Sequence, residues 1–75
     1  MNKERRKELE RADALISEAQ DIIESVRDEE EEAYENLPEN FQDGEKGEQM
    51  QEYISSLDDV IDQLDEAMGT LGEIY

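Results

Sequence analysis

The chain has no cysteine, no histidine and no tryptophan. Disulfides are therefore excluded, and the usual zinc ligands and nucleophile-activating bases are missing with them. Proline occurs once, at Pro38, and glycine only at positions 44, 47, 69 and 72, so the first half holds no strong helix breaker. Aromatic residues make up 5% of the chain and mean hydropathy is −1.03. No apolar run reaches the length of a signal-peptide core or a membrane span, which predicts a cytoplasmic chain without membrane contact. Basic residues are also scarce, 7 against 24 acidic, for a net charge of −17. A composition this acidic is compatible with disorder unless its apolar residues are ordered along the chain.

They are ordered. Met50, Tyr53, Leu57, Val60, Leu64, Ala67, Leu71 and Ile74 recur at alternating spacings of three and four, and Ile54, Ile61, Met68 and Tyr75 run beside them every seventh residue. That is a helical apolar face wider than a two-stranded seam. A second stripe runs through Leu9, Ala12, Ile16, Ala19, Ile23, Val26, Glu30, Ala33 and Leu37, flanked by Leu15 and Ile22. The pattern predicts one helix from about Lys3 to Asn36, a turn over 37–43, and a second helix from about Gly44 to Met68 with a frayed end to Tyr75. Pro38 marks the break, Asp43 is the expected N-cap of the second helix, and Phe41 is expected to plug the core beneath the turn. The small residues Ala12, Ala19 and Ala33 allow close approach of the two helices.

The predicted fold class is all-α, a single 75-residue unit formed as a two-helix antiparallel hairpin. A domain this small rarely assembles a sufficient core alone, so the hairpin is expected to dimerise into a four-helix bundle. Ile16, Ile23, Ile54, Leu57, Ile61, Leu64 and Met68 are the expected self-association residues.

Charge is distributed unevenly. Residues 1–11 hold five basic groups against three acids, net +2, while residues 12–75 carry net −19. In the hairpin, residues 28–52 form a turn-proximal pole with eleven acids against Lys46, net −10. The basic end would then lie beside Asp62, Asp65, Glu66 and Glu73, within reach of Arg5, Arg6 or Arg11. The run Asp28, Glu29, Glu30, Glu31, Glu32 breaks the apolar stripe at Glu30 and sits where the helix dipole disfavours acids. It reads either as a solvated, frayed helix end or as an anionic recognition surface kept despite its cost.

Catalytic chemistry has little to stand on. Gly44 and Gly47 lack the Lys-Ser or Lys-Thr of a phosphate loop, and Asp43, Glu45, Glu48 and Glu52 do not have the ligand spacing of a calcium loop. No catalytic, metal or cofactor site is expected, and no enzyme activity. Two function classes remain. One is a binding protein that offers carboxylates to a basic protein surface, with Asp28, Glu29, Glu30, Glu31, Glu32, Glu35, Glu45 and Glu48 as its contact pole. Its net charge spacing, about one per 2.2 Å along the helices, is near the ~1.7 Å of duplex DNA, so DNA mimicry is one mode. Such a body avoids direct contact with nucleic acid itself. The other is a structural or scaffolding oligomer whose acidity serves solubility.

The segment Asn36-Leu37-Pro38-Glu39-Asn40-Phe41-Gln42, with Gly44-Glu45-Lys46-Gly47-Glu48 after it and Arg27-Asp28-Glu29-Glu30 before it, resembles small acidic helical-hairpin proteins of phages and mobile elements of Gram-positive bacteria. The resemblance covers most of the chain in layout and carries no catalytic residue set. It implies a small phage protein that binds and blocks a host protein in the bacterial cell.

Overall fold

The computed structural model describes all 75 residues and is all-α. Three helices follow in order: α1 (Lys3–Glu35), α2 (Glu39–Gln42) and α3 (Glu45–Ile74). The Asn2 side chain caps α1 by accepting from the Arg5 backbone N–H at 2.8 Å. The acidic run Asp28–Glu32 is helical throughout, and α1 ends beyond it at the Asn36 cap.

Hydrogen bonds across α1 and α3 fix their direction and register. Gln20 donates to Asp65 at 2.7 Å and to the Ile61 carbonyl at 3.0 Å. Arg27 donates to Asp58 at 2.8 Å, and Gln51 donates to the Tyr34 hydroxyl at 2.9 Å. Partner numbers on α3 fall by seven each time the α1 number rises by seven, so the helices run antiparallel, with no slip between rungs. The Cα trace is 58 Å long and 15 by 12 Å across. No helix is long and apolar enough to cross a membrane.

Two of the expected boundaries differ. The connection contains the one-turn helix α2, and α3 continues through Gly69 and Gly72 to Ile74 instead of fraying after Met68. Both glycines point into open space, where they weaken the helix without breaking it.

The seam between α1 and α3 is displaced from the stripe read in the sequence. Leu9, Ile16, Ile23 and Leu37 do face α3, but the second line on α1 is Gln20, Arg27 and Tyr34, one residue beyond Ala19, Val26 and Ala33, which are exposed. On α3 the facing lines are Met50, Leu57, Leu64 and Leu71 with Ile54, Ile61 and Met68, while Tyr53, Ala67 and Ile74 are exposed. Only three residues are buried in the whole chain, Gln20, Gly47 and Met50, with Met50 the one buried hydrophobic.

Candidate functional site

The turn is built by residues with no obvious apolar role. The Gln42 amide donates to the carbonyls of Leu37 at 3.0 Å, Tyr34 at 3.3 Å and Glu35 at 3.4 Å, and so supplies a donor to the Leu37 and Glu35 carbonyls, which have none from the backbone. This draws the α2 backbone onto α3 at Gly47, where a Cβ would lie 2.1 Å from the Gln42 carbonyl oxygen. Gln42 turns inward, and its neighbour Phe41 faces out, 55% exposed, so Phe41 does not plug the core. Asp43 ends α2 instead of capping α3, whose N-cap is Gly44 without a side-chain bond.

Around this turn the acids form a collar, not a pocket. Asp28, Glu29, Glu32 and Glu35 on α1 are exposed, as are Glu45, Glu48 and Glu52 at the start of α3. Glu30 and Glu31 are partly covered. A shallow open depression at the start of α3 is lined by Glu45, Lys46, Glu48, Gln49 and Glu52, none of them apolar. Glu45 and Glu48 occupy the first turn of α3, where the helix dipole stabilises them.

Arg27 is the one basic group from α1 placed among these acids. It bonds Asp58 across the seam, bonds Glu31 one turn along its own helix, and reaches Asp28 at 3.4 Å. The hydrogen bond to Asp58 raises the guanidinium pKa well above its ordinary value, and Glu31 adds to the shift. Arg27 thus neutralises part of the inner edge of the pole, and Glu29, Glu32, Glu35, Glu45 and Glu48 form no ion pair.

At the opposite pole, the expected pairs between Arg5, Arg6 or Arg11 and Asp62, Asp65, Glu66 or Glu73 do not form. For Arg5 and Arg6 the register explains why. If Gln20 lies level with Asp65, the end of α3 at Tyr75 lies level with Glu10, and the Tyr75 hydroxyl meets Asp13. The first two turns of α1 therefore overhang the end of α3. Lys3, Arg5, Arg6 and Lys7 make no ion pair in the chain, and Arg11 reaches only Glu8, at 3.5 Å with both side chains mostly exposed.

The expected self-association residues Ile16, Ile23, Ile54, Leu57, Ile61, Leu64 and Met68 all lie half-buried along the seam between α1 and α3. A different apolar face is open. Leu15, Ile22 and Val26 on α1 are 48–61% exposed, and Tyr53 and Ile74 on α3 are 51% and 45% exposed. On both helices this line precedes the seam by one residue, a turn of ~100°. Because the helices are antiparallel, that step faces the same side of the pair, opposite the polar ladder of Gln20, Arg27 and Tyr34.

The next line outward on α3 is Gln49, Ser56, Gln63 and Thr70, with no charge in a chain that is 41% charged. This charge-free margin was legible in the sequence as a seven-residue recurrence of neutral polar residues. No group of three or more acidic side chains is arranged to hold a metal ion. Comparison with protein families, with curated proteins and with solved structures finds no match to this chain.

Proposed function

We propose that this chain is a small non-enzymatic acidic binding protein of the phage-encoded kind, whose turn pole docks on a basic surface of a host protein and blocks it by standing in for DNA. One observation carries the proposal: the acids of the turn pole other than Glu30 and Glu31 are exposed and, beyond the Arg27 pairs, the pole lacks ion-pair partners within the chain. Ten net charges lie on residues 28–52, over roughly 20 Å of the pair, or about one per 2 Å, against ~1.7 Å in duplex DNA. The charge is mounted on rigid helices, so docking orders little of the pole backbone. The exposed Phe41 at the tip adds an apolar contact that DNA lacks.

The antiparallel hairpin in this reading is the protomer of a self-associated four-helix bundle. A second reading, a scaffolding oligomer whose charge serves solubility, is favoured by the open apolar face of Leu15, Ile22, Val26, Tyr53 and Ile74. Capture from a bacterial lysate at about 50 and about 500 mM salt separates the two. A DNA mimic retains a nucleic-acid-binding protein at low salt only and releases it to added duplex DNA. Capture that is insensitive to both salt and DNA supports the scaffold.

A further inference from the structure

We infer that a second copy of this chain covers the open apolar face, packed face to face and antiparallel, so that the basic overhang of each copy lies against the acidic pole of the other. The inference rests on the self-association in the reading above and adds the face, the orientation and the pairing.

The first argument is need. With three buried residues and a single buried hydrophobic, two helices of 33 and 30 residues have almost no closed core. The open face runs from Tyr53 to Ile74, roughly 30 Å at ~1.5 Å per residue. It is two helices, about 20 Å, wide. That footprint of about 600 Å² approaches the ~800 Å² per partner of a stable interface. The neutral line of Gln49, Ser56, Gln63 and Thr70 lets burial extend past the apolar strip without covering a charge.

The second argument is self-complementarity. A two-fold axis in the plane of the face and across the helices sets α1 on α1 and α3 on α3 of the second copy, in opposite directions. The apolar positions on each helix are symmetric about one level. On α1, Leu15 then meets Val26 of the second copy, and Ala19 meets its Ile22. On α3, Tyr53 meets Ile74 and Val60 meets Ala67. Ala19 and Ala67 thus each face a larger β-branched residue, which is how layers interdigitate. The centre of the α1 set, between Ala19 and Ile22, lies within one residue of the level of the α3 centre at Gln63 and Leu64, as the Gln20–Asp65 rung fixes it. One axis therefore serves both helices, the requirement for an isologous contact.

Charge selects the orientation. Copies aligned with their turns at the same end would press two poles of net −10 together. Opposed copies place the overhang of one copy level with the end of α1 in the other, and set Arg11, whose contact in its own chain is the exposed one to Glu8, within about one residue of the level of Glu29 of the second copy, at the outer margin of the face. The basic overhang, which no element of its own chain meets, then has a partner, and part of the acidic run on α1 acquires a structural purpose.

The chain lacks cysteine, so Asn40→Cys, exposed and free of side-chain bonds, gives one spin label per copy at the turn. Sedimentation at tens of micromolar first establishes the dimer. A dipolar distance of about 50 Å between labels, twice the rise from the two-fold level to the turn at ~1.5 Å per residue, is the expected result. A distance under about 25 Å would mean aligned turns and would overturn the arrangement while leaving self-association standing. A monomer that stays helical overturns both, without bearing on capture by the acidic pole. Arg11→Glu and Glu29→Arg should each weaken the dimer several-fold, and the two together should restore it. Failure of the double variant to recover would reject the Arg11–Glu29 contact.

Discussion

Replacing Gly47 with alanine sets two opposed effects against each other. Inside a helix, alanine is favoured over glycine by ~0.5–1 kcal/mol. At Gly47, however, the added methyl lies 2.1 Å from the Gln42 carbonyl oxygen, 2.6 Å from its carbonyl carbon and 2.8 Å from its Cα. These are backbone atoms, and the Gln42 side chain ties them to the end of α1. Relief requires the α2–α3 corner to open by about 1 Å, and overpacking of this kind costs ~1–3 kcal/mol. Loosened Gln42 bonds add ~1 kcal/mol. The net expectation is a loss of about 1–3 kcal/mol.

Gly69 is the internal control, since nothing lies within 4 Å of its added Cβ and alanine there keeps the full helix gain. Thermal unfolding followed by circular dichroism at one fixed protein concentration reads both, at ~4–8 °C per kcal/mol for a domain of this size. Gly47→Ala should lower Tm by roughly 4–24 °C, and Gly69→Ala should raise it by a few degrees. An equal rise in both would show that Gly47 is not a close-approach glycine and would refute the geometry of the turn.

Gly44→Ser should supply α3 with the side-chain cap it lacks and stabilise by a few tenths of a kcal/mol, because its Cβ meets the Phe41 carbonyl oxygen at an ordinary 3.4 Å; a lower Tm would contradict this. Arg27→Met should lower Tm by leaving Asp58 and Glu31 unpaired, and Arg27→Lys should recover only part, since an ammonium cannot present the forked donors that span both acids. Unchanged melting of Arg27→Met would mean that the cross-seam pair contributes nothing. Raising salt from about 20 to about 300 mM should raise Tm by screening the collar of acids, and a fall in Tm would indicate that attractive pairs outweigh repulsion.

The two long helices and the break at Leu37-Pro38 were legible in the sequence because glycine and proline are absent before the turn and apolar residues recur at helical spacing. The rotation of the seam was not. A face apolar on several adjacent lines does not say which lines meet within one chain, and Gln20 and Arg27 chose for it. Both are polar, yet each reaches a hydrogen-bonding partner on α3, so the polar flank of the stripe packs inward and the alanine, valine and leucine flank is left outside. The same ambiguity hid the overhang of the basic end, because charge pattern alone fixes no register. In the turn, Phe41 was expected inside on hydrophobicity, while Gln42 took the inner position because the Glu35 and Leu37 carbonyls there have no backbone donor. The acids of residues 28–52 lie on the end of α1, the turn and the start of α3.

Two matched sets of substitutions test the docking pole most directly. Glu35, Glu39, Glu48 and Glu52 are exposed pole residues outside any ion pair, and Asp59, Asp62, Glu66 and Glu73 are equally exposed and unpaired along the far half of α3. Changing either set to the corresponding amides removes four charges with little change of shape. Capture of the low-salt partner should fall steeply for the pole set and slightly for the distal set, with helicity unchanged in both. Equal loss from the two sets would contradict a localised docking pole and leave net charge alone as the cause.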